Sequence, residues 1–99
     1  MTEARVSDGD LYIIFADVDD NVLTSCRLDN GAEFDFRNDE LVQIVLPNFE
    51  AQLNRGSLLG LSIDLVDVQF QNEIMILSIK IMNDTINISL DCSSIIHKL

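Results

Sequence analysis

The sequence predicts a mainly β (α+β) domain: a strongly bent antiparallel sheet or small, partly open barrel of six to seven strands, with one short helix near 47–54. Three observations predict it. The first is the stretch Glu73 to Met82, the longest apolar run in the chain, with four isoleucines in ten residues. β-Branched side chains are stiff and pack well on a pleated surface, and a bilayer-spanning helix needs about 20 residues. The second is alternation of apolar and polar residues between Asx- and Gly-containing turns. The third is a single proline, Pro47, inside the one segment that otherwise reads as a helix.

The elements follow in order. Residues 1–9 are polar and read as a frayed lead-in, with the single domain covering 1–99. Leu11 to Val18 is a first strand, apolar on both faces, and Asp17, Asp19, Asp20 and Asn21 supply its turn. Val22 to Leu28 alternates cleanly, with Cys26 on the apolar face. A third strand, Ala32 to Arg37, follows Asp29-Asn30-Gly31. A two-residue loop would set Leu28 against Glu33. A three-residue loop with Gly31 left-handed sets Leu28 against Ala32, Cys26 against Phe34, Thr24 against Phe36 and Arg27 against Glu33. Both faces agree only in the second register, which is therefore expected.

Residues 41–55 admit two readings. A helix from Asp39 to Arg55 would place Leu41, Ile44, Val45, Phe49 and Leu53 on one stripe. Pro47 opposes it, because a mid-helix proline costs about 3 kcal/mol and biases the preceding residue toward extended geometry. The favoured alternative is a strand over 41–46 and a helix over 47–54, with Pro47 in its first turn and Gly56 at its end. Leu58 to Phe70 reads as a long strand whose apolar parity flips between Leu65 and Val66, which one inserted bulge residue explains. Gln71-Asn72 then turns into the central strand, expected to be buried on both faces over its first half. Asn83-Asp84 turns out of it into Thr85 to Asp91, with Ile86, Ile88 and Leu90 facing the core. Residues 92–99 are a tail expected to dock through Ile95, Ile96 and Leu99.

Net charge is −11, from 17 acids and 6 bases, and it is uneven: residues 1–50 carry 12 acids against 3 arginines, residues 51–99 only 5 acids against 3 bases. That field repels nucleic acid and anionic membrane and attracts basic partners. The polar, acidic opening is the reverse of a secretory n-region, and two cysteines make no disulfide framework, so a reduced, cytoplasmic setting is expected. The sequons at Asn83 and Asn87 are then chance.

No motif carries catalysis or a cofactor. Asp17 to Asn21 opens like a calcium loop, but Val22 stands at the required glycine and Leu28 at the closing glutamate. There is no CxxC pair for zinc and no glycine-rich phosphate loop. His97 is the only histidine, near the terminus, and neither Cys26 nor Cys92 is a well-held nucleophile beside it. The protein is expected not to be an enzyme and to hold no metal or cofactor.

One constellation remains. In an antiparallel meander the first turn and the end of the third strand share an edge, which collects Asp17, Asp19, Asp20, Asp39 and Glu40 near Arg37. Asp8, Asp10 and Asp29 gather at the opposite end. Such a rim either solvates the turns or docks a basic partner by imitating spaced phosphates. The expected function is a small acidic inhibitor, of the size and charge of toxin-immunity or phage anti-defence proteins, occupying the basic site of a nuclease or other nucleic-acid-handling protein. The alternative is a structural subunit or adaptor, including a homo-oligomer closed through a strand edge.

Overall fold

The computed structural model describes residues 2–17, 23–53, 56, 58 and 60–99. Among the described residues eight strands, all paired antiparallel, form two sheets. The larger sheet has the order β1-β2-β5-β4-β3, from β1 (Glu3–Ser7), β2 (Asp10–Ile14), β3 (Thr24–Arg27), β4 (Glu33–Arg37) and β5 (Glu40–Leu46). A one-and-a-half-turn helix, α1 (Phe49–Leu53), follows β5. The smaller sheet is the meander β6 (Ile63–Gln71), β7 (Ile74–Ile81) and β8 (Asp84–Asp91), and a 3₁₀ helix (Ser93–Lys98) closes the chain. The mainly β class with one short helix is as expected. The described strands divide between two sheets, of five and three, and they form no closed barrel.

One core lies between the sheets. Leu11, Ile13, Phe34, Phe36, Ile44 and Leu46 come from the larger sheet, and Met75, Leu77, Ile79, Ile81 and Leu90 from the smaller. Phe34 and Ile79 are fully buried, each worth about 1.5–3 kcal/mol of transfer free energy. The Glu73–Met82 run thus forms the middle strand of the smaller sheet. Its odd positions are the core face, while Ile74 and Ile76 are only half-buried, so it is covered on one side and not on both.

The expected lead-in is a strand. Asp8 (φ 53°) and Gly9 (φ 85°) make a two-residue left-handed turn, the geometry that joins twisted hairpin strands, and Ala4 and Val6 then pair with Ile13 and Leu11. The first predicted strand ends at Ile14, where Phe15 and Ala16 bend away; Val18 to Val22 lie outside the described residues. The β3–β4 register is the expected one: Cys26 faces Phe34, Thr24 faces Phe36, Arg27 faces Glu33, and Leu28 and Ala32 close the loop through a 2.8 Å backbone hydrogen bond. Gly31 sits at φ +94° and donates to the Leu28 carbonyl at 2.9 Å.

Pro47 breaks the chain as expected, but it precedes the helix by two residues instead of standing in its first turn, and the helix covers 49–53 and not 47–54. Pro47 and Asn48 (φ 57°) form a turn, and α1 begins at Phe49. Among the described residues of the predicted Leu58–Phe70 strand, Leu58, Gly60, Leu61 and Ser62 are not strand: Gly60 takes φ +81° and the Leu61 N–H turns back to the Leu58 carbonyl at 3.1 Å. The bulge is where parity placed it, with the pairing shifting between Leu65 and Asp67 so that Val66 stands unpaired. The two following turns each fall one residue away from expectation, at Asn72-Glu73 and Met82-Asn83. Asn72 (φ 51°) and Glu73 (φ 68°) supply the left-handed pair that a tight hairpin needs. In the tail Ile95 is buried as expected, whereas Leu99 is 45% exposed.

Candidate functional site

The acidic end is built by strand order. β2 and β4 run in the same direction, so the chain leaving β2 and the hairpin leaving β4 emerge at the same end of the larger sheet. Asn38 (φ 52°) and Asp39 (φ 68°) form that hairpin's turn, closed by the pair Arg37 and Glu40. Asn and Asp tolerate the left-handed region because their side chains bond locally. Arg37 Nη1 donates to the Asp17 carbonyl at 2.9 Å, which ties the segment after β2 to the β4–β5 hairpin. Asp17, Asp39 and Glu40 are exposed there together. Asp19 and Asp20, expected on the same rim, lie outside the described residues.

A groove adjoins these acids. Its walls are Asp39, Leu41, Phe70, Met75, Lys98 and Leu99, around a volume of about 440 Å³. Phe70 and Leu99 are 44% and 45% exposed, and Lys98 Nζ stands 5.7 Å from the Phe36 ring centroid, within cation–π range. Phe70 pairs with Met75, so Glu73 at the tip of their hairpin adds an exposed acid beside the groove.

The sequence reading missed this groove. Parity assigned Val68 and Phe70 to an apolar face, and they do pair with the core-facing Leu77 and Met75. β6 has nine residues, whereas β1, the strand of the other sheet that lies beside it, has five. In the second half of β6 the side chains on that face meet solvent, with Val68 38% and Phe70 44% exposed. Val66, the bulge residue, is 59% exposed.

The opposite end is partly structural. Asp10 Oδ1 accepts the Asn48 N–H at 2.9 Å, which fixes the turn before α1, while Asp8 and Asp29 are exposed. A third feature was not anticipated. Asp35, on the outer face of β4, is 2% exposed. Its Oδ1 accepts from Ser25 Oγ and its Oδ2 from Gln43 Nε2, both at 2.6 Å. These bonds span three adjacent strands and satisfy both oxygens, as a buried carboxylate requires. They stitch β3, β4 and β5 in register.

Cys26, Cys92 and His97, the residues considered for catalysis, differ in exposure. The Cys92 side chain is buried and its Sγ donates to the Leu90 carbonyl at 3.6 Å, while His97 is exposed on the closing 3₁₀ helix. Burial raises the Cys92 thiol, which disfavours the nucleophilic thiolate. Cys26 and Cys92 are both free thiols. Among the described residues, no group of three or more His, Cys, Asp or Glu side chains is placed to hold a metal ion, and no helix is long and apolar enough to cross a membrane. No family model, no curated protein and no solved structure matches the chain.

Proposed function

We propose that this chain is a small acidic, non-enzymatic binding protein that inhibits a basic partner, a nuclease or other nucleic-acid-handling protein, by seating its acidic end in the partner's phosphate-binding site. The observation that carries the reading is the joining of Asp17, Asp39 and Glu40 at one end of the larger sheet, next to the groove formed by Leu41, Phe70 and Leu99. Acids alone give steering and little net affinity, because exposed charges contribute about 1 kcal/mol or less each. An adjoining apolar groove supplies surface that can be desolvated on contact, as binding hot spots require. The setting we propose is cytoplasmic, where Cys26 and Cys92 remain reduced.

The test begins with capture of the partner from the native host. Association rates are then measured at two salt concentrations for the wild type and two variants. One variant carries Asp17→Asn, Asp39→Asn and Glu40→Gln; the control carries Asp8→Asn, Asp64→Asn and Asp67→Asn, three exposed acids away from the groove. The reading expects slower association and a flatter salt dependence for the first variant only. Equal slowing by both reduces the effect to overall field, and unchanged rates in both remove the acidic end from the interface. A second reading, an adaptor or subunit joined through a strand edge, is favoured by the geometry of β8.

A further inference from the structure

The smaller sheet ends in a strand that lacks the usual guards of an edge. β8 pairs with β7 through eight consecutive residues without a register break. Among the described residues no strand lies on its other side. Exposed edges are commonly blunted by shortness, bulges, Lys or Pro. The other three edges carry such devices: β3 has four residues and Arg27, β1 has five with Arg5 and lies beside β6, and β6 is bulged at Val66. The β8 sequence, Asp84-Thr-Ile-Asn-Ile-Ser-Leu-Asp91, has no Lys, Arg or Pro, and it is rich in β-branched residues.

A cleft opens beside this edge. Ile86, Ile88 and Leu90 form one wall; Ala32, Phe49 and Leu53 are on the other, around a volume of about 340 Å³. Ile86 and Ile88 are half-buried, covered by the core below and open toward the cleft. A strand added to β8 would continue the sheet across the mouth of this cleft. Every second side chain of that strand would point inward, as Ile86, Ile88 and Leu90 do.

Charge selects the occupant. A second copy pairing antiparallel in full register sets Asp84 against Asp91 at both ends of the ladder, and like charges directly opposite destabilise a sheet. Each copy also brings a net charge of −11. A segment with cations at its ends has neither penalty. We propose that β8 receives an extended segment of a partner polypeptide by strand addition, eight residues long, with Lys or Arg first and last and apolar residues at its second, fourth and sixth positions. In the antiparallel register those three stand opposite Leu90, Ile88 and Ile86 and enter the cleft, while the terminal cations face Asp91 and Asp84. This surface is separate from the acidic end and can be tested without the partner proposed for it.

The probe is an array of synthetic octapeptides with Lys or Arg at the ends, Val, Ile, Leu or Phe at positions two, four and six, and Thr or Gln elsewhere. Two matched sets serve as controls: Glu at the ends, and the three apolar positions changed to Ser. The tightest peptides are titrated into isotope-labelled protein and followed by amide shifts and hydrogen exchange. Binding at least tenfold tighter for the cationic apolar set is expected, with slowed exchange confined to outward β8 amides and shifts at Ala32 and Leu53. Ile88→Lys should abolish it, and the Asp17, Asp39 and Glu40 triple variant should retain at least half the affinity. Because Ile88→Lys also risks the fold, the two control sets, read on the wild type, carry the decision. Equal binding of all three sets overturns the proposal, as does absence of binding. Shifts at Leu41 and Phe70 in place of β8 also overturn it and move the peptide site to the acidic end. Concentration-dependent dimerisation with the β8 amides protected overturns it in favour of a second copy.

Discussion

Replacing Gly31 measures how firmly the β3–β4 loop fixes the larger sheet. Gly31 stands at φ +94°, a region L-residues rarely adopt, and an added Cβ would lie 3.4 Å from Pro47 Cγ. The left-handed backbone costs an L-residue about 1–2 kcal/mol. Losing glycine's freedom in the unfolded chain offsets that by about 0.4–1 kcal/mol. Gly31→Ala should therefore destabilise by roughly 1 kcal/mol, since 3.4 Å is tolerable contact. Gly31→Val adds branching at a positive φ and pushes a methyl toward Pro47, for a net loss of about 2–3 kcal/mol. Gly9, at φ +85° with nothing within 4 Å of its added Cβ, is the control: it shares the backbone strain and lacks the neighbour. Urea titration reads both, because a small domain's slope of about 1–3 kcal/mol per molar converts these losses into midpoint shifts of roughly 0.5–2 M. Matching losses for the two alanine variants and a larger loss for Gly31→Val than for Gly9→Val are expected. Midpoints for Gly31→Ala and Gly31→Val that both match the wild type would refute the reasoning, because the loop would then reach its register without a left-handed residue.

Three further outcomes are expected. Ser25→Ala removes the donor to Asp35 Oδ1 and leaves half of a buried carboxylate unsatisfied, so it should cost about 1–3 kcal/mol in the same titration, well above the few tenths of an ordinary surface change. Ile79→Ala should cost about 2–5 kcal/mol and Ile76→Ala clearly less, since the first is fully buried on the core face of β7 and the second half-exposed on the other. Burial raises the Cys92 thiol above its ordinary 9.0, so above that pH the unfolded chain loses a proton that the folded chain keeps. Stability from this group is complete below pH 9 and declines as pH rises from there through the folded value; Cys92→Ala should remove that part of the alkaline loss, as read by urea midpoints between pH 7 and 10.5.

What the sequence made legible was local. The Arg27–Glu33 pair, closed at 3.1 Å, follows from counting residues on either side of Asp29-Asn30-Gly31 until both faces agree. The bulge at Val66 follows from a change of parity, and the break at Pro47 from a missing donor. β1 was hidden because Ala4 and Val6 are a weak apolar signal, although Asp8-Gly9 between them and Leu11 is a strong hairpin turn. The division into two sheets is non-local: alternation assigns a face to each residue and does not say which sheet covers it. That is why Phe70, on the correct face, is nevertheless exposed. The meander expected to bring Asp17 and Asp39 together does not form, because β5 inserts between β2 and β4; the two acids share an end because β2 and β4 both run antiparallel to β5. The groove beside them could not be read from the sequence, because it is lined jointly by residues of the two sheets and of the C-terminal segment, whose meeting is non-local.

In the proposed complexes, charge and apolar surface should govern different phases of binding. The exposed acids Asp17, Asp39, Glu40 and Glu73 stand at one end, on turns of both sheets. Their field reaches about 8–10 Å at ordinary ionic strength, far enough to orient an approaching cation-rich surface. It gives little once contact is made, because both partners remain hydrated at such a rim. Residence in the proposed complexes must then come from groups that leave water, Phe70 with Leu99 or the isoleucines behind the β8 edge. Neutralising acids should therefore act on the association rate and its salt dependence, while truncating apolar groups should act on dissociation. An interface centred on the acidic end would couple both effects to neighbouring residues. One centred on β8 would separate them across the molecule, with the acidic end steering a partner whose hold depends on a different sheet.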